Sequence, residues 1–208
     1  MHAEAEEMAL DLTLAPMKPA VFHGGKGVVP MGEGGTSYYY SYTRMAGSGW
    51  VEVQGQRVPV QARAWMDHQW GSWDWRGFQG WDWFSLRLDS GEEWMFFLFR
   101  DARGDVQPAS FGTYVAVDGT ATHLPREAFQ MEVLDRWTSP QTGATYPIGW
   151  RISTRLPAGE LVVWPEMPEQ ELPIRLGPTY WEGICRVAGT LAGEPVTGHA
   201  FVEMTGYR

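Results

Sequence analysis

Positive charge, cysteine and long apolar runs are all scarce in this chain, and each scarcity closes off a class of function. Lys and Arg number 16 against 25 Asp and Glu, a formal charge of -9 at pH 7. Such a surface repels phosphate backbones and anionic membranes, so nucleic acid is excluded as an expected partner. The single cysteine, Cys185, cannot form an intramolecular disulfide. It sits in the apolar alternation of an expected strand with no basic neighbour to lower its pKa, and reads as a small buried hydrophobe rather than a nucleophile. No apolar stretch approaches the ~18 residues that cross a bilayer. The acidic start Met1-His2-Ala3-Glu4-Ala5-Glu6-Glu7 lacks the basic segment of a secretory signal, so neither a membrane span nor a signal peptide is expected, and the compartment stays open. His2, His23, His68, His123 and His199 form no His-x-His or His-x3-His pair, so no metal site is expected. Gly24-Gly25-Lys26-Gly27 lacks the spacing of a Walker loop. Gly47-Ser48-Gly49 lacks that of a serine nucleophile elbow and reads as a turn between strands.

What is present points to strands. The 208 residues are 44% hydrophobic, enough for a core of ordinary size, and they include 12 Trp, 25 Gly and 14 Pro, a composition suited to short strands and tight turns. Residues 1–35 read as an extended arm and a Gly/Pro-rich linker, and residues 36–208 as one antiparallel β-domain, a barrel or a strongly bent sandwich with few helices. The surest element is a hairpin, in which Trp81 to Leu88 and Glu93 to Arg100 flank the turn Asp89-Ser90-Gly91. Trp94 to Phe99 is apolar without alternation, which implies cover on both faces by the arm, a second domain or another subunit.

The densest constellation is Trp65-Met66-Asp67-His68-Gln69-Trp70, followed by Gly80-Trp81-Asp82-Trp83-Phe84. Strand alternation puts Trp65, Asp67 and Gln69 on one side and Met66, His68 and Trp70 on the other. Asp82, buried without a cationic partner, would have its pKa raised towards that of a general acid. A buried carboxyl that only satisfies backbone donors, and tryptophans that only fill a core, explain the same pattern.

Those segments, with Ser37-Tyr38-Tyr39-Tyr40-Ser41, Tyr180-Trp181-Glu182-Gly183 and Gly198-His199-Ala200-Phe201-Val202-Glu203-Met204-Thr205-Gly206-Tyr207, resemble the C-terminal half of the carotenoid 1,2-hydratase (hydroxyneurosporene synthase) family. The resemblance implies a lipocalin-like fold and a hydratase or related lyase that adds water to a C=C bond of an apolar, isoprenoid-like substrate without a cofactor. It assigns proton donation to Asp82, the part of base or water-positioner to His68 and cation stabilisation to Trp70. Trp65, Asp67, Trp81, Trp83, Tyr39, Tyr180 and Glu182 become expected substrate-binding residues. Gly80 stands where those hydratases carry a Tyr, which reads as space for a different or bulkier ligand. The same fold implies two alternatives, a non-catalytic binder of a hydrophobic small molecule and a pericyclase. Because the resemblance covers only the family's second half, the expected partner is a second copy of this chain or an absent N-terminal domain. The arm, Trp94 to Phe99 or Tyr38 to Tyr40 would make the contact.

Overall fold

A computed structural model describes residues 1–5, 7–31, 35–74, 79–172 and 179–207. Residues 6 and 32–34 of the arm lie outside them. Among the described residues, strands β1 (His2–Ala5), β2 (Met8–Pro16), β3 (Val21–Phe22), β4 (Val28–Pro30), β5 (Thr36–Val53) and β6 (Gln56–Ser72) form a 6-stranded sheet. A 10-stranded sheet holds β7 (Gly80–Leu88), β8 (Glu93–Arg100), β9 (Phe111–Val115), β10 (Ala121–Pro125), β11 (Phe129–Thr138), β12 (Thr145–Arg155), β13 (Ala158–Pro165), β14 (Glu171–Leu172), β15 (Tyr180–Leu191) and β16 (Glu194–Thr205). All of these pairings are antiparallel, and the larger sheet runs β10-β9-β8-β7-β16-β15-β13-β12-β11, curled about its own core. The fold is the all-β, lipocalin-like one expected. Helix is confined to single 3-10 turns at His23–Gly25 and Arg126–Ala128 among the described residues, and none of those is a helix long and apolar enough to cross a membrane.

The layers divide after Ser72, not at residue 35: β2, β3 and β4 all pair with β5, so the arm and residues 36–72 build one sheet. Gly47-Ser48-Gly49 is not a turn. It continues β5, because its glycines let β2 approach closely; a Cβ at Gly49 would lie 1.9 Å from the Asp11 carbonyl oxygen. A one-residue bulge between Tyr42 and Met45 preserves the inward alternation of Ser37, Tyr39, Ser41, Thr43 and Met45.

Every residue of β8 is buried, and the cover on both faces comes from this chain. Trp94, Phe96 and Leu98 enter the core of the curled sheet, while Met95, Phe97 and Phe99 pack against Val29, Met31 and Tyr39 of the smaller sheet. The expected exposed face on Trp94 to Phe99 is therefore absent, and this strand offers no contact to a second copy. Glu93, fully buried, extends the seam. It accepts from Lys18 Nζ at 2.7 Å and from Arg44 Nε, and Lys18 also bonds the carbonyls of Gly91 and Ala116 at 2.6 and 2.7 Å. Removing one member of such a buried cluster strands an uncompensated charge, at a cost of about 3–5 kcal/mol.

Candidate active site between the two sheets

Along β7 the side chains alternate between the two faces of the larger sheet. Phe84 and Leu86 point into the curled core, whereas Trp81 and Trp83 pack towards the smaller sheet. Together with Tyr39 of β5, Asp67 and Gln69 of β6, Phe97 of β8, Glu203 of β16 and the loop residues Met31 and Trp73, they line a cavity of about 190 Å³. Trp65 edges against Trp83 with ring centroids 6.0 Å apart. The walls are mostly indole and phenyl, and the polar groups are few and convergent.

Two of those polar groups are carboxylates. Glu203 accepts from Trp81 Nε1 at 2.6 Å, and burial, reinforced by the negative charges of Glu182 and Asp67, raises its carboxyl above the ordinary value. Asp67 is also raised, by desolvation, although the residue is partly open to solvent. Donors favour its ionised form: Ser41 Oγ, Trp65 Nε1 at 2.9 Å, and the Tyr39 hydroxyl, which itself accepts from Trp83 Nε1 at 2.9 Å. The donors around Asp67 favour its anion, and the like charges around Glu203 favour its protonated form. Two coupled carboxyls in such unlike surroundings could supply an acid and a base at one site.

Behind Asp67 runs a buried chain of hydrogen bonds. Ser41 Oγ lies 2.8 Å from His23 Nε2, and His23 Nδ1 lies 2.9 Å from Thr113 Oγ1. With Ser41 donating to an ionised Asp67, His23 must donate from Nε2 and accept Thr113 at Nδ1, which fixes the neutral tautomer. Burial first, then the charge of His123, lowers the His23 imidazole to about 3. It serves as an orienting group that holds Ser41 and hence Asp67.

The remaining expected site residues are dispersed. Tyr180 meets Trp81 edge-on at 6.1 Å, and Glu182 stands opposite Glu203 in the β15–β16 ladder; neither lines the cavity. His68 and Trp70 lie on the outward face of β6, where His68 Nδ1 is 3.2 Å from the Tyr40 hydroxyl and Trp70 stacks on Tyr38 at 5.3 Å. Trp70 is 47% exposed. Asp82 points the other way from Trp81 and Trp83, into the mouth of the curled sheet, and it does have a cationic partner. Arg100 Nε donates to it at 3.1 Å and the Tyr207 hydroxyl at 3.0 Å; burial still raises its carboxyl against both. Nor does Gly80 open ligand space. A Cβ there would lie 2.1 Å from the Thr205 carbonyl oxygen and 3.0 Å from Arg100 Nη2, so the glycine makes room first for the backbone of β16. Cys185 is buried and its thiol is pushed up to about 12 by desolvation, the state of an inert core residue. Among the described residues, no group of three or more His, Cys, Asp or Glu side chains is placed to hold a metal ion.

Residues 1–207 match the AttH-like family. The chain belongs to the AttH-like family. Among solved structures, an AttH-type protein of Nitrosomonas europaea is similar over 100% of this chain and 64% of its own, at 32% identity and a TM-score of 0.88. Kievitone hydratase of Nectria haematococca is similar over 98% of this chain and 63% of its own, at 22% identity and a TM-score of 0.82, and CghA in complex with Sch210972 at 13% and 0.56. The last two likenesses show the fold. The chain therefore spans less than two thirds of the length of these structures. No curated protein matches the sequence.

In this AttH-like chain the residues that sequence reasoning missed are Glu203, His23, Ser41 and Thr113. Glu203 left a trace, a lone carboxylate between Val202 and Met204 in a strand. His23 left none: it comes from a loop, and only the pairing of β3 and β4 on β5 brings it beneath Ser41.

Proposed function

We propose that the inter-sheet cavity adds water across a C=C bond at the end of an apolar, isoprenoid-like molecule, which makes this AttH-like chain a hydratase-type enzyme. The observation that carries this reading is the pair Glu203 and Asp67, electrostatically coupled in one indole-lined cavity. Glu203 delivers its proton to the less substituted alkene carbon, and the tertiary cation left behind faces Trp81 and Trp83, whose π-faces stabilise positive charge. A water held by Asp67 adds its oxygen to the cation while its proton passes to the Asp67 carboxylate. The sum is alkene plus water to tertiary alcohol, and exchange of one proton with solvent resets the pair. At ~30 Å³ for each water-sized group the cavity holds about six heavy atoms, so it takes the branched end of a chain while the rest extends outside. A carotenoid terminus is one such end.

Incubation with a terminal isoprenoid alkene in ¹⁸O-labelled water tests this: the product should carry one labelled oxygen, and Glu203→Gln and Asp67→Asn should each remove it. Full turnover in Glu203→Gln would end the assignment. Tight tryptophan quenching by the alkene with no product would make the cavity a binding site only.

A further inference from the structure

A second cavity, of about 470 Å³, opens at the mouth of the curled sheet on the opposite side of β7. Four of the 16 basic residues of an acidic chain converge on it: Arg100, Arg103, Arg126 and Arg136. Two are neutralised by carboxylates. Arg100 is paired with Asp82, bonds the Thr205 carbonyl and lies 3.9 Å over the Tyr207 ring; Arg103 lies 3.5 Å from Asp101 and 3.3 Å from Asp105. The other two are not. Arg126 gives Nη1 to the Phe129 carbonyl at 2.8 Å and sits over that ring, and the Arg136 guanidinium makes no ion pair or hydrogen bond among the described residues. Leu98, Met131, Val133 and Trp150 supply apolar wall.

We propose that this cavity binds an amphipathic monocarboxylate, its head group held by Arg136 and Arg126 and its apolar body laid against Leu98, Met131, Val133 and Trp150. A planar carboxylate matches the guanidinium fork, and the apolar wall has no use for a bare inorganic anion. Asp82, fixed in the same cavity by Arg100, disfavours a dianion more than a monoanion. The site takes a charged head where the inter-sheet cavity, with its two carboxylates, rejects one, so the two select different molecules.

Calorimetric titration of the whole chain with decanoate, decanol and inorganic phosphate decides the matter. Decanoate should bind at least tenfold more tightly than either of the others, as loss of a charge-assisted contact requires. Arg136→Gln, at an exposed position whose side chain the fold does not use, should remove that advantage and leave decanol binding unchanged, and Arg126→Gln should do so in part. Equal affinity for decanoate and decanol would overturn the carboxylate head. Phosphate binding as tight as decanoate would reduce the site to a general anion trap, and decanoate binding unaffected by both substitutions would place it elsewhere.

Discussion

On one side of β7, Trp81 and Trp83 close a cavity of about 190 Å³ around Asp67 and Glu203; on the other, Asp82 sits in a cavity of about 470 Å³ among guanidinium groups. Desolvation raises all three carboxyls, yet their surroundings give them different work. Among the described residues Glu203 has an indole N–H to support its charge and two like charges to oppose it, so burial and those charges raise its carboxyl above the ordinary value and favour the protonated form that can donate. Asp82 has a guanidinium and a phenol on its oxygens and is engaged as the fixed partner of Arg100. A buried carboxylate is therefore not an acid catalyst by virtue of burial alone; the donors around it decide.

The largest expected effect lies in the smaller cavity. Glu203→Gln should lower kcat about 10²- to 10⁴-fold, the usual worth of a general acid, while leaving decanoate affinity at the barrel mouth unchanged. A joint loss of both would mean that the cavities are not separate. Next comes Asp82→Asn, which leaves Arg100 buried without its ion pair and should destabilise the fold by about 3 kcal/mol, read from the denaturant midpoint. Turnover per folded molecule should survive; its loss at unchanged stability would restore Asp82 as the proton donor.

A smaller and more diagnostic effect is expected from pH. Glu203 must be protonated to act, so kcat/KM should fall tenfold per unit as pH rises past its elevated pKa. Asp67 must be ionised, so the rate should fall likewise as pH drops through its own. Both limbs should lie above the ordinary carboxylate range, since both shifts are upward, and they belong to the coupled pair. Trp81→Phe deletes the hydrogen bond that favours ionised Glu203 and should move the alkaline limb further up. A limb that stayed in place would mean that another group delivers the proton. The smallest change is expected from His68→Ala and Trp70→Phe on the outward face, with kcat within about twofold, as for surface positions away from a site. A tenfold loss would shift the chemistry to the outward face of β6.

Most of the architecture was legible because period-2 alternation and turn chemistry are local signals. The hairpin of β7 and β8 was expected at Trp81 to Leu88 and Glu93 to Arg100 and is observed at Gly80–Leu88 and Glu93–Arg100. Misreadings arose where glycine has two uses. Gly47 and Gly49 admit a neighbouring strand rather than a turn, and Gly80 admits the Thr205 backbone rather than a ligand. The aromatic half of the candidate site was legible too, since Trp81, Trp83, Asp67 and Tyr39 do meet. Its second carboxylate was not, because β16 pairs with β7 over more than a hundred residues of chain, and nothing in the sequence around Asp67 reports Glu203. Asp82 was misplaced in its surroundings for the same reason: Arg100 reaches it diagonally across the ladder, where Gly80 faces Arg100 and Asp82 faces Leu98.

The alternation of β7 also has a consequence for how such a protein can vary over time. Successive codons of this strand address different cavities, so a point substitution at Trp81 or Trp83 changes the aromatic lining and one at Asp82 changes the charged one. Each lining can drift without the other. An inserted or deleted residue within the strand would do the opposite, turning the two indoles towards the guanidinium groups and the carboxylate towards the indoles. Gains and losses of length should then be confined to connections such as Asp89 to Glu92, and diversification of either cavity should proceed one substitution at a time.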